Sequence, residues 1–137
     1  MYVSFRSWSV ALLLFIMTAL AGCSEDQPTG TINGTVNLDG QPLSEGIVSF
    51  VPVDGKTGTA SAPIKDGQFQ ATVPVTEMKL MFSAPKVVGK KKMYNTPDSP
   101  TVDEVLELIP PRFGANSKLT IHVKKGKQSE KFDLESK

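Results

Sequence analysis

An all-β fold is predicted for the chain from Thr31 onward, and three observations carry the prediction. Short runs rich in Val, Ile, Phe and Thr recur along the chain, Asp-Gly pairs and Gly/Pro clusters punctuate them, and apolar residues at helical spacing are nearly absent. The arrangement expected is a seven-stranded antiparallel β-sandwich with one long inserted loop, preceded by an N-terminal signal peptide.

The chain opens on a leader. Residues 1 to 9 carry Arg6 and no acid, and Val10 to Leu20 is an apolar run. That run has the length of a signal-peptide core and falls short of the roughly 20 residues a membrane-spanning helix needs. Leu20-Ala21-Gly22-Cys23 follows, with the only cysteine of the chain. These four residues resemble the bacterial lipobox at every position. The resemblance implies cleavage after Gly22, a diacylglyceryl thioether on Cys23, and a palmitate-type acyl group on the new amino terminus. Two or three acyl chains, each buried CH₂ worth about 0.8 kcal/mol, hold a protein on a membrane where one chain does not. Ser24, where the inner-membrane retention signal of proteobacteria has aspartate, favours the outer membrane.

Removing 22 residues from 137 leaves 115, a size that fits one hydrophobic core. The organisation expected is therefore a signal peptide over 1–22, a lipidated tether over 23–30 and one folded domain over 31–137. Loss of Arg6 leaves 14 basic and 14 acidic side chains, since the whole chain has 15 and 14, and such a balance provides no global field for nucleic acid. With Cys23 taken by lipid there is no disulfide, thiol nucleophile or cysteine metal site. The tether Ser24–Gly30 is polar, and its seven residues extend to at most about 25 Å.

The candidate strands run from Thr31 to Leu38, Gly46 to Val53, Gly58 to Lys65, Gln68 to Pro74, Glu77 to Ser83, Lys118 to Lys124 and Gln128 to Leu134. Asp39-Gly40, Asp54-Gly55 and Asp66-Gly67 suit tight turns with positive φ, the third making the clearest hairpin. Alternation predicts a core of Ile32, Val36, Leu38, Val48, Phe50, Phe69, Ala71, Val73, Leu80, Phe82, Leu119, Ile121, Val123, Phe132 and Leu134. Gly34 suits a bulge or a close backbone approach.

More than 30 residues separate Ser83 from Lys118, far more than the usual 4 to 6 of a connection, which marks this loop as the best place to look for function. It carries Lys86, Lys90, Lys91, Lys92, Met93 and Tyr94, then Asp103, Glu104, Glu107 and Arg112. Val102, Val105, Leu106 and Ile109 fit one or two helical turns packed on the domain, with Thr101 as N-cap; Val105 to Ile109 equally fits an irregular strand covering an open sheet edge. Lys90, Lys91, Lys92, Tyr94 and Arg112 form a candidate contact patch for lipid phosphates or acidic polysaccharide, against the plainer reading of a solvated loop balanced by its own acids.

The stretch GTVNLDGQPLSEGIVSFVP resembles the first hairpin of the carboxypeptidase regulatory-like, transthyretin-like (prealbumin-like) domains, with Gly34, Val36, Asp39, Gly40, Pro42, Leu43, Gly46, Val48, Phe50 and Pro52 at matching positions. The later segments IKDGQF, FSAPKVVGKKKMYNTPDSP and ELIPPRF are similar to small lipoproteins of the planctomycete type within that family. The family's usual V-P-x-G-x-Y-x-V is replaced here by Val73 to Leu80 without that glycine or tyrosine. The resemblance implies a sandwich fold and a regulatory-like role rather than an activity.

Enzymatic chemistry is not expected. His122 is the single histidine, it alternates with Ile121 and Val123, and no partner group is visible. A three-histidine zinc site is excluded within one chain. The transthyretin-like hydrolases carry several histidines and a terminal Tyr-Arg-Gly-Ser, both missing here. Asp98 and Asp103 beside Pro and Ser read as turn residues before they read as an acid and base pair. No cofactor is expected, and no nucleic acid. The partners expected are membrane lipid through Cys23 and an envelope protein or polysaccharide, at the cell envelope on the periplasmic side or surface of the outer membrane. A carbohydrate-binding accessory module is the alternative, weakened by the scarcity of stacking aromatics.

Overall fold

The computed structural model describes residues 27–137. The expected cleavage and lipidation positions, Gly22 and Cys23, lie outside them. The described residues are all-β, with no helix.

Ten strands follow one another: β1 (Thr29–Leu38), β2 (Gln41–Pro42), β3 (Glu45–Pro52), β4 (Ala60–Lys65), β5 (Gln68–Pro74), β6 (Glu77–Ser83), β7 (Pro85–Lys92), β8 (Thr101–Glu107), β9 (Thr120–His122) and β10 (Gly126–Leu134). Eight of them form one sheet in the order β10-β1-β5-β4-β3-β6-β9, with β2 added to β1. The pairings are antiparallel except that between β1 and β10, which run parallel from Gly30↔Gly126 to Leu38↔Leu134. The seven anticipated strands are all present; β2, β7 and β8 are additions, and the parallel pair departs from the wholly antiparallel expectation. Thr29 and Gly30, assigned from sequence to the tether, already belong to β1 and pair with β5.

Local chemistry explains the two tightest turns. Asp39 and Gly40 have φ of 51° and 82°, and Asp66 and Gly67 have 50° and 74°. Positive φ at both central residues gives the turn the twist of its flanking strands, and Asp-Gly adopts it at small cost. At Asp54-Gly55 only the glycine is positive, at 66°, so this third pair does not make the same turn.

The sheet curls because β4 and β5 pair only at Lys65↔Gln68 and then separate. Its two halves close on one another: Phe50 of β3 meets Phe69 of β5 at 6.0 Å between ring centroids, and Phe82 of β6 meets Phe132 of β10 at 5.3 Å. Period-two alternation sends Ile32, Val36, Val48, Phe50, Ile64, Val73, Leu80 and Phe82 inward. Burying a side chain such as Phe50 or Phe82 contributes about 1.5–3 kcal/mol. Gly34 makes a close approach: a Cβ there would meet the Phe69 ring at 2.0 Å.

The 84–117 connection is built differently from either expectation. Thr101 to Glu107 is strand rather than helix, and it pairs with β7 instead of covering a sheet edge. Of the four apolar residues expected to pack, only Ile109 does, at 2% exposure, while Val102, Val105 and Leu106 face solvent. The open edge of β6 is covered by the returning chain: Phe82 N–H donates to the Phe113 carbonyl at 2.8 Å, and Leu80 N–H to the Leu119 carbonyl at 2.9 Å, before β9 takes over.

These pairings fix two ends of the sheet. Pro28, where the chain enters β1, accepts a hydrogen bond from Val75 in the turn between β5 and β6. From that turn β6 runs its length to Ser83, and β7 begins at Pro85. The β7–β8 hairpin therefore leaves from the end of β6 opposite to the entry of β1, about 20 Å along the strand at roughly 3.3 Å per residue.

Candidate functional site

The β7–β8 hairpin forms a two-stranded sheet of its own, and every one of its strand residues is exposed except the half-buried Gly89. Its register runs from Pro85↔Glu107 to Lys92↔Thr101, with a bulge at Val88 between Val87↔Val105 and Gly89↔Glu104. Residues opposite one another in an antiparallel pair share a face. One face thus carries Val87 beside Val105 and Lys90 beside Asp103; the other carries Lys86 beside Leu106 and Lys91 beside Val102. Neither face is shielded, and Val87, Val88, Val105 and Leu106 are each more than half exposed.

Charge is divided by strand. β7 holds Lys86, Lys90, Lys91 and Lys92 and no acid, while β8 holds Asp103, Glu104 and Glu107 and no base. Asp98 in the connecting loop brings the segment 85–107 to four lysines against four carboxylates. The one close ion pair among the described residues is Lys131 to Asp133 at 3.2 Å, on β10 and not on this hairpin.

Both ends of the hairpin are fastened. At the tip, Met93 N–H donates to the Pro100 carbonyl at 3.0 Å, Tyr94 N–H to Ser99 Oγ at 2.7 Å, and Lys92 Nζ to the Pro97 carbonyl at 3.4 Å. At the base, Glu107 accepts from the Ala84 N–H at 2.6 Å, the Ser83 hydroxyl at 2.7 Å and the Ile109 N–H at 3.1 Å. Partial burial pushes the Glu107 carboxyl up, but the donors of Ala84, Ser83, Ile109 and Leu108 together outweigh it and hold it below the usual range.

The expected contact residues are partly brought together. Lys90, Lys91, Lys92 and Tyr94 share the outer half of the hairpin, with Tyr94 62% exposed. Arg112 is elsewhere: its guanidinium lies over the Phe113 ring and donates to the carbonyls of Glu135 and Lys137. The sequence reading missed Glu107 as the clasp and Val87 and Val88 as exposed apolar residues. Their signal was the Val-Val-Gly step before the lysines, which breaks alternation where the bulge falls.

His122 sits on β9 and is exposed. Asp98 and Asp103 lie on different elements, loop and strand. Among the described residues no three His, Cys, Asp or Glu side chains gather as a metal site. An open cleft of about 790 Å³ lies on the outer face of the sheet, lined by Asn33, Thr35, Gln68, Gln70, Ser129 and Lys131 among others. Its single aromatic neighbour, Phe69, is 6% exposed and offers no stacking face. Comparison with protein-family models, with curated proteins and with solved structures gives no match.

Proposed function

We propose that this chain is a lipid-anchored, non-enzymatic β-sandwich module of the cell envelope that acts by binding, with the β7–β8 hairpin as the surface it presents. The observation that carries the reading is the opposition between the entry of β1 at Pro28 and the hairpin beyond Ser83, at the two ends of β6. A tether leading from Cys23 to Pro28 would hold one end near the bilayer and leave the hairpin at the other. The sandwich reading, of the carboxypeptidase regulatory-like type, draws support from the near-separation of β4 from β5 and from the aromatic contacts between the two halves.

Intact mass and membrane fractionation of the wild type and Cys23→Ala in a bacterial host test the anchor. Lipid mass on a chain beginning at Cys23, lost together with membrane partitioning in the variant, is the expected outcome. A soluble, unlipidated wild type would remove the anchor. The carbohydrate-binding alternative rests on the polar cleft around Asn33 and Gln70; the lack of an exposed ring there ranks it second.

A further inference from the structure

We infer that the hairpin's occupant is a second copy of the same hairpin, stacked face to face with β7 of one chain over β8 of the other. This rests on the hairpin being the presented surface and adds what it meets. A two-stranded sheet with both faces in water is marginal by itself, and a second layer supplies the burial it lacks. The charge pattern then selects the layer. The segment is neutral overall, so it exerts little pull on an anionic lipid or glycan, yet its lysines and carboxylates are sorted onto separate strands. A neutral, sorted surface is complementary to itself.

Register narrows the geometry further. A two-fold axis along the strands, between two facing hairpins, lays β7 over β8 at unchanged height. On the face of Val87 and Val105 this sets Val87 over the partner copy's Val105 and Lys90 over the partner copy's Asp103, with Pro85 over Glu107 at the base and, at the tip, Lys92 over Thr101, where its Nζ keeps the Pro97 carbonyl at 3.4 Å; each contact is made twice. The same operation on the other face sets Lys86 over Leu106, Gly89 over Glu104 and Lys91 over Val102, so that no lysine there stands directly over a carboxylate and Glu104 is met only from a neighbouring position. An axis across the strands lays β7 over β7 and β8 over β8 in reversed order, so that no lysine comes over a carboxylate. Edge pairing of like strands sets lysines beside lysines or acids beside acids, and the bulge at Val88 further disfavours the β7 edge. Among these two-fold arrangements, the first alone sets apolar over apolar and base directly over acid.

The contact is small, below the roughly 1,200 Å² of a standard interface, so the association is weak and reversible. Sedimentation velocity of the full-length chain in mild detergent, over a concentration series, reads it directly. The wild type is expected to shift from monomer to dimer, and Val105→Asp to weaken the shift by about tenfold or more. Lys90→Asp combined with Asp103→Lys keeps the hairpin's own cross-strand pair and is expected to dimerise like the wild type. Mixed with fluorescently labelled wild type, that double variant should not co-assemble, because lysine would meet lysine and aspartate aspartate. Co-assembly as ready as self-assembly would overturn the inference. So would a wild type that stays monomeric at every concentration, including one that instead binds phosphatidylglycerol vesicles through Lys90 to Lys92. A failure here is distinguishable from failure of the anchored-module reading, which the Cys23 experiment decides by mass.

Discussion

Gly34 has no side chain because the Phe69 ring occupies that space, and the ring cannot withdraw, since Phe50 and Phe132 flank it at 6.0 and 6.3 Å. Gly34→Ala is expected to destabilise the fold by about 1–3 kcal/mol, the usual cost of overpacking, read as a lower urea midpoint with unchanged slope. Glu107 works at the same scale on the hairpin base. Its folded carboxyl titrates below its ordinary value of 4.5, so its contribution is present above that pH and is lost as the pH falls through the folded value. Protection factors at Ala84 and Ile109, taken against the intrinsic exchange rate at each pH, should fall as the pH drops below 4.5 more than at sites remote from the base, and Glu107→Ala should remove the difference. A glycine inside an alternating strand marks Gly34 as special in the sequence, but what fills the space is the Phe69 ring and not the bulge or close backbone approach expected. The role of Glu107 is not legible there, because its donors at Ser83 and Ala84 lie 24 and 23 positions away in the chain.

At the scale of elements, the strands that bury one face were legible and those that bury none were not. Gln68–Pro74 and Glu77–Ser83 fall where alternation predicts, because Phe69, Ala71, Val73, Leu80 and Phe82 mark the inner face. β7 and β8 carry no such mark: with water on both sides, neither face selects for apolar residues, and charged and aliphatic residues mix. The apparent helical spacing of Val102, Val105, Leu106 and Ile109 arises from three solvent-facing strand residues followed by one core residue. Because the hairpin packs on no other strand and Leu108 N–H already bonds the Ala84 carbonyl at 3.1 Å, the element is separable. Replacing residues 85–107 with Asn-Gly should leave the sheet folded, with a change in unfolding free energy within about 1 kcal/mol, as for surface alterations that spare the core. A loss of cooperative unfolding in that variant would mean that the hairpin supports the fold.

The described residues place two informative parts at opposite ends, the entry of β1 beside the β5–β6 turn and the hairpin beyond Ser83. The all-β class is legible in the sequence because it depends on local pattern. The opposition of the two ends is not, because it depends on which strands pair. It also alters the meaning of the lysines. Their attraction for a bilayer fades within a Debye length of about 10 Å, and the length of β6 alone is about 20 Å. The measurement that tests this account most directly uses the lipidated protein on vesicles bearing a headgroup quencher, with one fluorophore attached at Thr76→Cys or at Asn95→Cys. Strong quenching at Thr76 and little at Asn95 is the predicted result. Equal or stronger quenching at Asn95 would put the hairpin on the membrane and contradict the account.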